Sequence, residues 1–597
     1  MNPLCEIIKL SSLRDAMVEE LTKIIKGPKS TESDTKVIYA SPNIHSTLGT
    51  IFPTEETLHS GLGVLGIFPL GVEADIVEAD RGVFLVNADI ESLRKLEGTL
   101  LKFAETNPNA PLHTLFVPKK TVMIEEIMEN SFQSLLSNPK LQIEEFDWDA
   151  FPLDDDVVSL ELPLSFRQLV GDGDPTVLFL CARMVLKLQT SFFGSIPIVR
   201  GRGAHAAKVV HMLKRMRSEI GSDSFVAVAP KIESLLILDR SVDLLTPSLT
   251  QMTYEGIIDE FFSISSGGVT LSFDVGEGSN LCTGQRIHLS NDDKVFKEIR
   301  DKNYTHVGSV LHNKSVWIKQ CYDKRKELQQ LKELKDFMKG LPEMQEMHRL
   351  IGVHTAIATE IGKRTQTIDF RRRIVIEHYI LQQTNEREVF EYIEELANDS
   401  APMEDVLRLL SLYSVINGGL KDKFYDHFKR VLLLSYGIPF AMATLMCLER
   451  CGLITKYDTK HSNYSSLQKQ FKLWTSELQN QQQNDLALPY GGYVPLSVRL
   501  LEKVITHPES WSTPGSMGES SPDEKVEIRY NEETPEGPPV TMFLLIGGIT
   551  RAEISAIRLL QSKLADAGNP RRIVVATTSI VNGATVITSA LPYPLEE

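Results

Sequence analysis

The stretch ESLLILDRSVDLLTPSLTQMTYEGIIDE, Glu233 to Glu260, constrains this chain more than any other. Its apolar run, Leu235 to Leu238, has strand length and polar neighbours on both sides. Such a run reads as a strand buried on both faces, although a short apolar run alone does not exclude helix. Asp239-Arg240 closes it, and Asp243, Thr246 and Pro247 follow. Threonine before proline is a helix-start signal, because the hydroxyl can accept from free amides and proline at the first helical position forfeits no needed donor. Tyr254, Ile257, Ile258 and Phe261 then fall at helical spacing. The expectation is a buried strand passing through a charged turn into an amphipathic helix, at a join between two domains.

At 597 residues the chain exceeds one core, and roughly three to five domains are expected. Net charge -16 argues against a broad nucleic-acid-binding surface. The six cysteines have no framework spacing, which suits a reducing compartment. Cys447 and Cys451 share a helix face, but two thiols without further ligands read as core. The first residues lack a basic region followed by a long apolar core, so no secretory signal is expected. Val431 to Leu448 carries no charge, yet Tyr436-Gly437-Ile438-Pro439 interrupts it. A spanning helix needs about 20 apolar residues, so this segment is read as two short buried elements. The expected location is cytoplasmic, with membranes reached through partners.

Residues 1–150 alternate helix and strand. Leu13, Met17, Leu21 and Ile24 form a helical stripe, and Lys36–Ser41, Gly82–Asn87 and Leu112–Val117 read as short buried strands. That alternation predicts an open parallel sheet covered on both faces. Ser60 to Gly71 lacks periodicity and is read as loop, and the acidic run at 144–156 as a solvated turn. Arg167–Met184 and Ala204–Arg217 read as helices. Ser263 to Ser290 is a long polar loop, and Asn291 to Leu420 is almost continuously helical in composition. Within that block Leu328, Leu331, Leu334, Phe337 and Met338 form a stripe. Gly340-Leu341-Pro342 cuts it, and Met344, Met347, Leu350 and Ile351 resume it. The spacing predicts two antiparallel helices with a tip near Leu341. Flexible thioethers there suit either a partner-packing surface or plain core. Ser512 to Pro539 reads as disordered or a long surface loop. Val540–Ile546 and Ile573–Ala576 are further buried strands flanking a helix at Arg551–Leu564. A sheet interrupted by a helical block and resumed near the C-terminus predicts a discontinuous domain.

Sites for chemistry are scarce. Gly201–Lys208, GRGAHAAK, lacks the glycine before lysine and the hydroxyl after it that a phosphate loop requires. Gly547-Gly548-Ile549-Thr550 could present amides to an anion, and a tight strand-to-helix turn explains it as well. Asp239 at a strand end invites an aspartyl-phosphate reading, but Ser241 stands where a second acid would be needed. The alternative for Asp239-Arg240 is a charged pair fixing the turn. No nucleophile elbow, zinc-helix motif or Cys–His cluster is present, so no catalytic residue, metal ligand or cofactor is expected.

These motifs together resemble one family. LLILDRSVDLLTPSLTQMTYEGIIDE resembles the signature of the SM family, the Sec/Munc-type regulators of SNARE-driven membrane fusion. Phe116-Val117-Pro118-Lys119-Lys120, Phe151-Pro152-Leu153-Asp154, Gly194-Ser195-Ile196-Pro197 with Gly201-Arg202-Gly203, Ile299-Arg300-Asp301-Lys302-Asn303, Gly492-Tyr493-Val494-Pro495-Leu496-Ser497 and Leu545-Ile546-Gly547-Gly548-Ile549-Thr550 are similar to its vacuolar protein sorting class C branch. The resemblance covers about residues 110 to 583; before that only the order of strands and helices matches.

The resemblance implies an α/β protein shaped as a three-domain arch: two parallel-sheet domains, the second discontinuous, and a large helical third domain. The boundaries it suggests are 1–150; 151–245 with 486–597; 246–365 for the helical hairpin; and 366–485 for the remaining helices. It implies no catalysis and no cofactor. The implied partners are SNARE proteins, a syntaxin-type chain and the assembled bundle, and an α-solenoid class C tethering subunit on late endosomes, lysosomes or the vacuole. Carried onto this chain, Lys335, Phe337, Met338, Leu341, Pro342, Met344, Met347 and Arg349 are the SNARE-contact candidates. Lys429, Tyr436, Ile438 and Phe440 are the tether-contact candidates, with a buried helical core as the alternative for that stretch. Asp239, Arg240, Asp243, Thr246, Pro247 and Tyr254 form the structural signature. The competing reading is a nucleotide-dependent or phosphoryl-transfer enzyme on the same α/β scaffold, since fold alone does not fix function.

Overall fold

The computed structural model describes residues 10–26, 34–51, 62–71, 76–131, 139–148, 150–221, 225, 228–265, 267–271, 284–324, 331–457, 464–475, 485–515, 517, 525–530, 535 and 537–591. They fall into two compact units, one within residues 8–162 and one built from 163–264 and 269 onward.

The first unit holds α1 (Ser11–Lys26), β1 (Lys36–Ala40), α2 (Pro42–Ile51), β2 (Val64–Pro69), β3 (Arg81–Asn87), α3 (Ile90–Thr106), β4 (Leu112–Val117), α4 (Val122–Ser131), β5 (Leu141–Glu145), β6 (Phe151–Pro152) and β7 (Val157–Ser159). Five strands form a parallel sheet in the order β2-β1-β3-β4-β5. The three expected strands are its centre and are buried except at Asn87. Tyr39 stacks on Phe84 at 5.3 Å between ring centroids, with Phe103 edge-on to both. Three expectations need correction. The buried stripe of α1 ends at Ile25, because the four-residue steps from Leu13 through Met17 and Leu21 continue there rather than to Ile24. The stretch read as loop contains β2, an edge strand ending in proline and half exposed, which shows neither alternation nor a continuous apolar run. In the acidic run Phe146, Trp148 and Phe151 are buried, and the Trp148 indole donates to Glu20 at 2.6 Å.

The larger unit opens with a π-helical turn, Arg167–Asp172, and α5 (Thr176–Leu188). The single helix expected over Arg167–Met184 is broken at Gly173, whose φ of 73° is left-handed, and at Pro175. Next come β8 (Ile198–Arg202), α6 (Ala204–Ile220), β9 (Ser234–Asp239) and α7 (Tyr254–Phe262). Thr246 does not start that helix. Residues Thr246–Ser248 form one 3-10 turn, and the Thr246 hydroxyl is spent donating to Asp243 at 2.6 Å. The cap of α7 is Thr253, whose side chain accepts from the Gly256 amide.

Two short strands, β10 (Gly268–Thr270) and β11 (Arg286–His288), lie in the stretch read as loop. The helices follow: α8 (Lys294–Ile299), α9 (Tyr304–Lys324), α10 (Leu331–Thr365), α11 (Ile368–Gln382), α12 (Glu386–Asn398), α13 (Met403–Asn417), α14 (Asp422–Tyr436), α15 (Ile438–Arg450) and α16 (Tyr464–Phe471). The tip expected near Leu341 is absent: α10 runs unbroken for 35 residues with Pro342 inside it. An internal proline removes one intrahelical bond. Burial of Ile351, Val353, Ile357 and Ile361 in the core shared with α8 and α9 holds the helix beyond it. The two helices of the pair are therefore α9 and α10, which run antiparallel: Tyr304, at the start of α9, bonds Thr365, at the end of α10.

After α16 the chain forms α17 (Leu496–Thr506), β12 (Lys525–Arg529), β13 (Val540–Ile546), α18 (Arg551–Asp566), β14 (Arg572–Thr577) and α19 (Gly583–Ala590). Strand β13 inserts beside β9 and carries β14 on its other side, all parallel, so residues far apart in sequence share one sheet. Strand β12 lies in the segment read as disordered or a long surface loop and pairs antiparallel with β8. Its burial is only partial, so its sequence carries no apolar run. The whole is mixed α/β with a parallel sheet and a large helical region.

Among the described residues one helical stretch, Thr176–Phe193, is long and apolar enough to cross a membrane, with mean hydropathy 1.3. Of its residues 56% are buried within the protein, as in a core helix.

Candidate functional site

Asp239 sits level with Ile546 at the carboxyl end of its strand. Its carboxylate accepts from the Ser241 amide at 3.0 Å, and from the His205 amide and ring Nδ1 at 3.1 and 2.8 Å. Burial alone would raise its pKa, but these His205 and backbone contacts outweigh it and hold the carboxyl below the usual range. The N-terminus of α6, where GRGAHAAK would have to cradle a phosphate, is thus filled by a carboxylate of the chain itself. Gly203 makes the approach possible: its φ is 101°, and a Cβ there would lie 2.5 Å from the Asp239 Cβ.

Asp239 and Arg240 are not partners, contrary to the turn-fixing pair read from sequence. Asp239 is the last residue of β9, and Arg240 opens the 3-10 turn Arg240–Val242. Arg240 turns instead to Glu553 in the first turn of α18, 313 residues away, with both terminal nitrogens 2.9 to 3.1 Å from its oxygens. The same guanidinium reaches the Asp243 carbonyl at 2.8 Å and the Gly548 carbonyl at 3.3 Å. Arg240 and Glu553 are 1% and 0% exposed. Burial penalises the charge on Arg240, but Glu553 and Asp243 outweigh it and raise its pKa. Asp243 moves up as well, first through burial and then through the nearby Glu553 charge, despite its bonds from Thr246. Ser497 completes the cluster, its hydroxyl donating to Glu553 and its amide to Asp243.

The sequence reading missed Glu553. The signal that finds it is the capping box: Thr550 accepts from the Glu553 amide, and Glu553 accepts from the Thr550 amide. The Gly547-Gly548 turn is closed by this packing, since a Cβ on Gly547 would lie 2.8 Å from the Arg240 Cβ.

Helix α7 continues the join. Glu255 is bound by Arg300 at 2.7 and 2.9 Å and by Arg551 at 2.6 Å. Burial would raise its pKa, but the three arginines around it, Arg558 included, hold it at about 2. Asp259 accepts from Asn582, and Glu260 pairs with Arg408. The Tyr254 hydroxyl meets His354 Nδ1 at 3.1 Å, and His354 Nε2 meets Asp293 at 2.9 Å, which ties α7 and α8 to α10. These bonds fix elements of the chain to one another, and Pro247 is buried beside them. Among the described residues no group of three or more His, Cys, Asp or Glu side chains could hold a metal.

On α10, Leu341, Met344 and Met347 are half-buried and fall on one stripe, with Pro342 and Arg349 exposed. Arg349 is paired with Glu346 on the same helix. The side chains of Lys335, Phe337 and Met338 lie outside the described residues. The α14–α15 stretch corrects the expectation of two buried elements. Two helices are present, joined at Gly437 with φ 88°, but Leu434 is 87% and Ile438 67% exposed, with Phe440 and Met446 beside them in sequence and also exposed. Tyr436 is half-buried and donates to the Ala401 carbonyl, and Lys429 is half-buried.

A profile of the Sec1 family matches residues 36–589. The chain belongs to the Sec1 family. A vacuolar protein-sorting-associated protein 33 homolog from Arabidopsis thaliana is 32% identical over 97% of each chain. Vacuolar protein sorting-associated protein 33A from Rattus norvegicus is 33% identical over 86% of this chain and 87% of its own. The fold is also similar to solved structures of family members. One is the SM protein Vps45 in complex with the Qa SNARE Tlg2, with TM-score 0.62 and 17% identity over 97% of each chain. Another is the Unc18–syntaxin 1 complex from Monosiga brevicollis, with TM-score 0.60 and 16% identity over 97% of this chain and 99% of that one. At these identities the likeness concerns the fold.

Proposed function

We propose that this chain is a non-enzymatic SNARE-binding protein that promotes SNARE-complex assembly as a subunit of an endosomal, lysosomal or vacuolar tethering complex. The observation that carries the reading is the family match across 36–589 together with relatives at 32% and 33% identity named for vacuolar protein sorting. The signature agrees with it: Asp239 and Asp243, the acids that look catalytic in isolation, are consumed in joining sheet to helices. The SNARE contact is assigned to the helical pair α9–α10, through Lys335, Phe337, Met338, Leu341, Pro342, Met344, Met347 and Arg349. The exposed apolar strip from Leu434 to Phe440 supports a second assignment, docking of the α-solenoid subunit.

A pulldown with a purified syntaxin-type SNARE tests the first assignment. Met344→Asp and charge reversal at Lys335 or Arg349 should weaken capture, and unchanged capture by all three removes α10 as the contact. Ile438→Asp should fold and lose co-purification with the solenoid subunit. A folded variant that still co-purifies removes that patch.

A further inference from the structure

Residues 175–218 contain no aspartate or glutamate, in a chain with 79 acidic residues and net charge -16. The span covers α5, β8 and α6. Arg200 and Arg202 on the strand are buried, as is Arg217 near the end of α6. The other cations of α6 face outward: Lys208, His211, Lys214 and Arg215 are exposed. Positions 208, 211 and 215 follow one another at three and four residues, which is one face of a helix. Lys208 and Lys214 make no ion pair among the described residues. Arg215 pairs with Glu219, the first acid after the span, and both are exposed.

Helix α5 packs along α6. Arg217 donates to Gln189, the residue that follows α5, at 2.9 Å, so the two helices end together and run parallel. Phe179 stands ten residues before Gln189 and Lys208 nine before Arg217, which sets them at the same height. Phe179 is 46% exposed, an aromatic ring left in water level with the first lysine. Arg183 and Lys187, further along α5, are half-buried.

Nothing in the internal packing of the chain uses Lys208 or Lys214. They are about 9 Å apart along the helix, too far to share one phosphate, so the face suits a surface that carries many anions. An exposed ring level with cations is the pairing of a peripheral membrane face, with the ring at the acyl boundary and the ammonium groups among the headgroups. At physiological salt, charges beyond about 8 Å are screened. The acidity of the rest of the chain therefore does not cancel attraction at this face, and it favours approach by this face over others.

We propose that the outer face of α5 and α6 docks on a membrane surface rich in anionic lipid, with Lys208, Lys214 and Arg215 among the headgroups and Phe179 at the acyl boundary. The contact needs no SNARE and does not depend on the reading above.

The test is flotation of the purified full chain with vesicles of phosphatidylcholine alone or of phosphatidylcholine with phosphatidylserine. Binding should require phosphatidylserine and weaken as salt rises. Each lysine at an anionic surface corresponds to about a fivefold change in affinity, so Lys208→Ala with Lys214→Ala should bind about 25-fold more weakly. Phe179→Ala should weaken binding as well. All three side chains are exposed, so melting temperature should not move. Lys423→Ala with Lys469→Ala changes net charge equally at exposed positions elsewhere and should bind as wild type does. Equal binding to both vesicles, no binding to either, or wild-type binding by the α6 double variant or by Phe179→Ala overturns the proposal. Equal weakening by the Lys423 and Lys469 pair also overturns it, by assigning the effect to net charge. If the α6 double variant keeps vesicle binding and loses capture of a purified syntaxin-type SNARE motif, the face belongs to an acidic protein and the proposal falls.

Discussion

Replacing Glu553 by glutamine changes one charge and almost no volume at the centre of the join between sheet and helices. Arg240 would keep only Asp243 as a counter-charge, at 3.4 Å rather than the 2.9 Å of the Glu553 contact. The glutamine oxygen can still accept from the Thr550 amide, so the loss is mainly that of an anion opposite a guanidinium that is 1% exposed. Removing one partner of a buried pair costs about 3–5 kcal/mol, because the remaining charge stays desolvated and uncompensated. Against a typical stability of about 5–15 kcal/mol this is a large fraction. The assay is hydrogen exchange on the full chain, comparing peptides from β9 and from the first turn of α18. Both should lose protection together, although 313 residues separate the two ends of the contact. Arg240→Met combined with Glu553→Leu removes both charges and should cost less than the sum of the single changes. Protection in Glu553→Gln within about 1 kcal/mol of wild type, or strict additivity in the double variant, refutes the reasoning.

Asp239→Ala removes the acceptor for two amides and the His205 ring, so melting temperature and SNARE capture should fall together; a fully stable protein that has lost capture alone would mean that Asp239 contacts a ligand. Gly203→Ala forces a Cβ to within 2.5 Å of the Asp239 Cβ at φ 101° and should cost more than about 1 kcal/mol in thermal unfolding, whereas an unchanged melting temperature would contradict the close turn. Glu255 has its pKa lowered from 4.5 to about 2, a difference that corresponds to about 3 kcal/mol of stability. Because the folded value is the lower one, that stability is fully present above pH 4.5 and is lost as pH falls toward 2. The gap in melting temperature between wild type and Glu255→Gln should therefore be constant from about pH 7 to pH 5 and narrow only below that range; narrowing that begins above about pH 6 would assign the effect to another group.

The strands were legible because sheet-centre strands buried on both faces write continuous apolar runs, as Leu235 to Leu238 and Met542 to Ile546 do. Strands β2 and β12 were not, because edge strands are half-exposed and their pairing is carried by backbone. Pro342 misled for a related reason: a proline marks a lost hydrogen bond, and whether the helix ends there depends on packing elsewhere along it. In the signature, the pairing of Asp239 with His205 and of Arg240 with Glu553 is set by the close approach of β8, β9 and the turn after β13. Long-range pairing of this kind leaves no local pattern beyond the Thr550–Glu553 capping box. The exposed face of α14 and α15 was ambiguous because an uncharged run looks alike whether its outer face is covered or bare.

The central claim is that this chain acts by holding SNARE helices and not by turning over a substrate. Titration of the purified full chain with a purified syntaxin-type SNARE motif, with and without ATP or GTP, tests it most directly. The account predicts saturable binding that Met344→Asp weakens and that nucleotide leaves unchanged, with no phosphate released. Absence of binding together with nucleotide hydrolysis would contradict it.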